Sequence, residues 1–438
     1  MGVTGFALIN ANRKLNAETV KDKYPLPNPS MIFDRLSGCQ FFSKLDLRWA
    51  YYQVRVAEED VHSTTFRSPL DSLASRVMSM GLTNAAPTFQ RLMDSIFGDL
   101  DFVSCYLDDV LIASRSAEEH LQHVSIVLER LQKHKLLARE TKCAFFMSSI
   151  KFLGFIFSAE GKAVDTSKTD ALRLLPAPDT ILELQRWLGA INYYSPFIPR
   201  YAALMAPLTD LLKNIPDKSR KSRAKLVWLP EHQAAFEAIR AALAAPPLLR
   251  LFDSRLPCKV SVDASKVACG GVLEQQEHGQ WRPVAFYSRK LTPAEQRYTT
   301  RERECLAVKQ CLVVWRHYLL GAPFEVKSDH ESLKWLKTQD VATLSDRLLR
   351  WLEYFSLFDF DQGYIPGVDN VLPDHLSRPA TLLILNTTQP TPQPLDFMSL
   401  VLLVQEHQHI CPVLENSADA VLPDTEVHSL FYDQIVAA

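Results

Sequence analysis

The run from Phe102 to Ala113 is apolar at both ends and broken at its centre by two adjacent acids. Phe102-Val103-Ser104-Cys105 leads into Tyr106-Leu107-Asp108-Asp109, and Val110-Leu111-Ile112-Ala113 leads out. This pattern predicts a β-hairpin with its aspartates at the turn. A second strand pattern, Phe41-Phe42-Ser43-Lys44-Leu45-Asp46-Leu47, brings a third acid, Asp46. Glu118–Lys135 predicts an amphipathic helix, because Leu121, Val124, Leu128 and Leu131 recur at helical spacing. Lys151–Ser158 is a strand-like run. From Asp165 to Leu212 the pattern is helical, with Leu182, Leu184, Trp187, Leu188 and Ile191 on the inner face.

Past Leu251 the period changes again. Cys258–Asp263 alternates, and Gly270–Gln275 and Trp281–Ser288 follow as strands. A long helix is predicted from about Pro293 to Leu320, then a strand over Phe324–Asp329 and a helix over Leu344–Phe358. The long helix carries Glu304, Val308, Cys311 and Trp315 along one face. A carboxylate on an apolar stripe is costly unless it is paired or binds a cation. The simpler account is a Glu near the helix start that turns to solvent or pairs with Arg301 or Arg303. Asp263 and Asp329 each close a strand, and Asp374 follows Pro373 at the start of a short helical segment. Alone, each such Asp is more often a cap or turn residue than a ligand.

A chain of 438 residues is too long for one core, so two to four domains are expected. Its apolar and charged content is ordinary for a soluble globular protein. With a net charge of −2, any nucleic acid would be held by a local basic surface rather than by overall charge. The basic stretch Asn214–Lys225 reads either as a solvated loop or as a phosphate-contacting one. No Lys or Arg follows Arg378, and the Thr-, Gln- and Pro-rich Thr387–Pro394 predicts a weakly ordered tail. No cysteine pair has CxxC spacing, which argues against zinc. Cys105 and Cys311 lie in apolar contexts, as small core residues do. The N-terminus lacks the apolar segment of a secretory signal, and Leu395–Val404 is too short to span a bilayer. An intracellular, reducing location without a membrane partner is expected.

Two neighbouring carboxylates repel and disfavour each other's ionisation. A fold has no use for that unless a cation neutralises them. Hard divalent ions such as Mg²⁺ take one or two carboxylates plus substrate phosphates. Two of them about 3.5–4 Å apart clamp the attacking and leaving oxygens of a phosphoryl transfer. The paired acids therefore point to nucleotidyl transfer. The plain alternative is a polar turn, where Asp is common.

The ordered runs Lys23-Tyr24-Pro25-Leu26-Pro27, Phe42-Ser43-Lys44-Leu45-Asp46-Leu47, Gly81-Leu82-Thr83-Asn84-Ala85, Tyr106-Leu107-Asp108-Asp109 and Phe152-Leu153-Gly154-Phe155 resemble reverse transcriptases of gypsy-type LTR retrotransposons. So do Val262-Asp263-Ala264-Ser265, Arg303-Glu304-Cys305-Leu306-Ala307, Ser328-Asp329-His330 and Pro373-Asp374-His375-Leu376-Ser377-Arg378, which look like that family's RNase H strings. The likeness extends from about Arg13 to Arg378. It implies an α+β multidomain fold. Residues 1–157 would be truncated fingers and palm, 158–250 a helical thumb and connection, 251–380 an RNase H-like mixed α/β domain, and 381–438 the tail.

The implied activity is RNA-directed DNA polymerisation with hydrolysis of RNA in RNA–DNA hybrids. Asp46, Asp108 and Asp109 would serve the first site, and Asp263, Glu304, Asp329 and Asp374 the second, each with two Mg²⁺ or Mn²⁺. The implied partners are an RNA template, a DNA primer, the hybrid and dNTPs, in a cytoplasmic particle or the nucleus. Tyr51 would pack on the incoming sugar and reject a 2′-OH, unless it is a plain core aromatic. Gln90 and Tyr106 would belong to the nucleotide and primer site. Phe152, Leu153 and Gly154 would form a primer-holding hairpin, unless they are an ordinary strand with a Gly bulge.

Several positions depart from the family pattern. Ala7 stands where an Arg would grip the triphosphate, Pro69–Met80 lacks the usual Tyr-Gly hairpin, and Ala86-Pro87 reverses the usual order. Gly363–Asp369 lacks the mobile His of many RNases H, whose role is absent or falls to His375. No protease or integrase motif is recognised. A catalytically impaired relic of a retroelement, retaining at most hybrid binding or cleavage, is therefore the rival reading.

Overall fold

The structure, a computed structural model, describes residues 12–67, 71–213, 225–328 and 345–364. Ala7, residues 214–224, Asp329, Asp374, His375 and the tail lie outside the described residues. The chain divides into two compact units between Ile150 and Lys151.

In the first unit, Phe41–Asp46 (β1), Val103–Tyr106 (β2), Asp109–Ser114 (β3) and Ala144–Met147 (β4) form a sheet in the order β2-β3-β1-β4. The β1–β3 and β2–β3 pairs are antiparallel. Helices Ala85–Phe97 (α1) and Ala117–Lys133 (α2) cover it. Phe89, Met93 and Ile96 of α1 join Val124, Val127 and Leu128 of α2 and Leu45, Val110 and Ile112 of the strands in one buried cluster. Ser116 caps α2 by accepting from the Glu119 N–H at 3.2 Å.

A polar knot sits inside this apolar layer. His120 is fully buried, its Nε2 2.7 Å from Ser43 Oγ and its Nδ1 2.7 Å from Ser114 Oγ. His123 stacks on Phe102 and also meets Ser114 Oγ, at 2.8 Å. Burial, with some repulsion from His123 and only weak opposition from Glu119, pushes the His120 pKa down from 6.5 to about 4. Burial lowers that of His123 as well. A histidine depressed in the folded state is protonated first in the unfolded chain. Stability should therefore be flat at neutral pH and fall as pH drops from about 6.5 towards 4. At about 1.4 kcal/mol per pH unit, His120 alone accounts for a loss of roughly 3 kcal/mol. Urea unfolding at pH 7 and pH 4.5 should show this loss, and His120→Asn should flatten it. An unchanged slope in that variant would assign the effect elsewhere.

Ser149–Phe152 (β5), which spans the boundary, makes a small sheet with Phe155–Ser158 (β6) and Gly161–Val164 (β7) of the second unit. The strand-like run Lys151–Ser158 is thus broken, because Leu153 and Gly154 both take positive φ (47° and 78°). Helices Ile181–Asn192 (α3), Tyr201–Leu211 (α4) and Pro230–Ala244 (α5) follow. A Thr180/Glu183 capping box starts α3 at Ile181. Its buried face is Ile181, Leu184, Trp187, Leu188 and Ile191, so Ile181 takes the place expected of Leu182.

The rest of this unit is a five-stranded mixed sheet. Cys258–Ala264 (β8), Ala268–Glu277 (β9), Gln280–Lys290 (β10), Phe324–Ser328 (β11) and Phe360–Tyr364 (β12) take the order β10-β9-β8-β11-β12. β8 runs antiparallel to β9 and parallel to β11. β12 is unanticipated. Helix α6, Thr300–Val314, packs on the sheet with α7, Asp346–Phe355. The predicted start at Pro293 is corrected to Thr300. Thr299 and Glu302 form a capping box there, and a short 3₁₀ turn, Glu295–Arg297, precedes it. Among the described residues no helix is long and apolar enough to cross a membrane.

Candidate active sites

Asp46 closes β1 and Asp109 opens β3, and the two are direct cross-strand partners. Tyr106 pairs with Asp109, so Leu107-Asp108 is a two-residue hairpin turn. Leu107 holds φ at 55°, a region that costs about 1–2 kcal/mol for a residue with a Cβ. The turn is anchored from two sides. The Leu47 N–H donates to the Asp108 carbonyl at 3.1 Å, and the Leu107 N–H donates to Gln90 Oε1 at 2.9 Å. The three aspartates therefore converge at one end of the sheet.

The electrostatics follow from that crowding. Asp108 reaches solvent, yet partial desolvation and the carboxylates of Asp109 and Asp46 push its pKa up. Lys44 Nζ lies 2.8 Å from Asp109 Oδ1, and Lys142 Nζ 3.6 Å from Asp46 Oδ2. Among the described residues no three His, Cys, Asp or Glu side chains are gathered as a metal would gather them. Instead the two lysines compensate part of the negative charge. A surplus of carboxylate over cation, with one acid raised, still suits a hard divalent ion.

Tyr51 packs edge-on against Phe89 at 5.6 Å and is half-buried. Its hydroxyl pKa is raised by burial and, less, by the Asp108 carboxylate. Tyr106 is half-buried at the end of β2. Gln90 is fully buried on α1. Phe152 is a core residue at 1% exposure, while Leu153 and Gly154 form the hairpin tip. The Leu153 carbonyl accepts from the Tyr193 hydroxyl at 2.6 Å.

In the five-stranded sheet, Asp263 lies near the end of β8, beside the register pair Val262–Ser328. It lines a cleft with Arg200, Ser265, Gly270, Tyr287 and Ser288. Glu304 is 3% exposed, so it does not turn to solvent. The Ser328 hydroxyl donates to Glu304 Oε2 at 3.3 Å, which fixes the glutamate against the end of β11. Val308, Cys311 and Trp315 continue its face into the core. The helix comes this close because β9 carries Gly271, whose Cβ would stand 2.5 Å from the Ser261 carbonyl and 3.0 Å from Cys311 Sγ. A buried ion pair that sequence reading missed lies on the same sheet. Lys259 Nζ is 3.1 Å from Glu274 Oε2, beneath the Trp281 ring. Its one signal was a charge inside each of two predicted strands.

The antiparallel sheet with acids at a hairpin, and the five-stranded mixed sheet with a buried glutamate on its first long helix, have the arrangement of a reverse transcriptase domain followed by an RNase H-like domain. The comparisons with known proteins agree. Residues 7–157 match the family described as reverse transcriptase (RNA-dependent DNA polymerase), and residues 253–358 match the RNase H-like domain found in reverse transcriptase. The Tf2-3 and Tf2-7 transposon polyproteins of Schizosaccharomyces pombe are each 34% identical over 386 residues, 87% of this chain. The chain spans 28% of the length of these relatives. A foamy viral protease-reverse transcriptase solved with double-stranded DNA shares the fold at a TM-score of 0.71 and 22% identity. The match covers 81% of this chain and 73% of that one. The dRH form of that protein, also with double-stranded DNA, gives 0.72 over 81% and 62%.

Proposed function

We propose that this chain is an RNA-directed DNA polymerase with ribonuclease H activity, acting on an RNA template, a DNA primer and the hybrid they form. The observation that carries the reading is the pairing of Asp46 with Asp109 beside the turn acid Asp108. Asp46, Asp108 and Asp109 would hold the metal of the polymerase site, and Asp263 and Glu304, with Asp329 and Asp374, that of the nuclease. Bound Mg²⁺ would activate the attacking oxygen, a primer hydroxyl or a water, and stabilise the leaving one. The chain's own residues do the rest. Lys44 and Lys142 limit repulsion among the acids, Tyr51 would meet the sugar of a dNTP, and Ser328 fixes the orientation of Glu304.

Extension of oligo(dT) on poly(rA), run beside cleavage of a labelled RNA–DNA hybrid in Mg²⁺, tests both activities. Mn²⁺ should substitute. Ala7 lacks the charge-assisted phosphate bond of an Arg, a bond roughly twice as strong as a neutral one. Hybrid cleavage is therefore expected to be the more robust activity. Strong extension with undetectable cleavage would reverse this order, and loss of both would support the inactive relic.

A further inference from the structure

We propose that Gln90 is a positioning residue, the last link of a relay that runs from Tyr24 through Asp94 to the acid-bearing turn. The Tyr24 hydroxyl donates to Asp94 Oδ2 at 2.6 Å. Asp94 Oδ1 accepts from Gln90 Nε2 at 2.9 Å, and the same nitrogen stands 3.3 Å from the Cys105 carbonyl. Gln90 Oε1 accepts the Leu107 N–H at 2.9 Å. Gln90 has no exposed surface, and both ends of its amide are engaged within this relay. Its role is to fix the turn, not to touch nucleotide. Leu107 sits where glycine is favoured, so its φ of 55° needs an outside tether, and Gln90 supplies one.

The outer end of the relay is itself held. The Asp22 N–H donates to Asn84 Oδ1 at 3.0 Å, and Asn84 Nδ2 donates to the Val20 carbonyl at 2.8 Å. Arg91 pairs with Asp22 and lies 4.9 Å over the Tyr24 ring. Segment 20–24 is thereby strapped to α1, and the orientation of Asp94 reports whether it is in place. Because Asp94 takes one donor on each oxygen, losing the Tyr24 hydroxyl frees it to rotate and loosens Gln90.

The inference rests on the polymerase reading, and its test separates the two. Amide exchange at Leu107 should accelerate in Gln90→Met by about tenfold or more, with Cys105 and Leu111 unchanged, whether or not the protein extends primers. Primer extension should lose about tenfold in kcat at constant dNTP KM, with a higher Mg²⁺ requirement. Tyr24→Phe, which keeps the ring, should move the same readouts less, and the double variant should lose less than the two effects combined. Should Gln90→Met fail to fold, Tyr24→Phe carries the test alone. Unchanged Leu107 exchange in the folded variants would overturn the relay. A raised dNTP KM at unchanged kcat would instead make Gln90 a nucleotide contact. Wild-type protein without extension, but with the exchange effect, would sink the polymerase reading and leave the relay standing.

Discussion

Asp108→Asn is expected to abolish primer extension while leaving the fold intact. A carboxylate that holds a catalytic metal is worth several kcal/mol of transition-state stabilisation. At about 1.4 kcal/mol per decade, that is on the order of 10³-fold in rate. The stability effect has the opposite sign. The pKa of Asp108 is raised in the fold by desolvation and by its two acidic neighbours. A carboxyl raised in this way stabilises the fold only while protonated, and that contribution is lost as pH rises through the folded value. At neutral pH the metal-free protein carries a mutually repelling cluster, which asparagine relieves. Thermal unfolding without metal should therefore show equal or higher stability in Asp108→Asn. Added Mg²⁺ should stabilise the wild type more than the variant. Extension at the wild-type rate by Asp108→Asn would remove Asp108 from the active site, and with it the central support for a polymerase.

What was legible in the sequence was whatever depends on neighbours along the chain. The acids of Tyr106–Asp109 interrupt an apolar run, and the hairpin follows from that alone. The stripe through Glu304 is local to one helix, and it buries as its spacing implies. What escaped depends on distant partners. Lys142 meets Asp46 across 95 intervening positions that no period encodes. His120 reads as one polar residue on the apolar face of α2, and nothing local reveals the serines of β1 and β3 that satisfy it. Gln90 was placed at the nucleotide site by resemblance alone, which does not say whether a side chain faces substrate or core. β12 was missed because Phe358–Tyr364 is short, and its single apolar face follows a helix without a strong break. The start of the long helix shifted from Pro293 to Thr300 because a capping box at Thr299 decided its first turn.

Glu304→Gln is expected to abolish hybrid cleavage and to spare primer extension. Glu304 sits at 3% exposure on a stripe that continues into Val308, Cys311 and Trp315. A carboxylate there is costly unless a cation or strong donors repay its desolvation. The Ser328 hydroxyl is one donor, at 3.3 Å, and a neutral glutamine oxygen can accept the same bond. Glutamine also keeps the volume, so the packing of α6 on Gly271 is not disturbed. The variant thus loses charge and little else. Its metal-free stability should match or exceed that of the wild type. If Glu304 holds the nuclease metal, hybrid cleavage should fall on the order of 10³-fold, by the same arithmetic as for Asp108. The acids proposed for extension lie in the other compact unit, so extension should persist. Measuring both activities on one preparation makes each the control for the other. Cleavage at the wild-type rate in Mg²⁺ would reduce Glu304 to a buried structural acid tied to Ser328. Loss of both activities would mean that the substitution disturbs the protein as a whole, which would contradict the close fit of glutamine at this position.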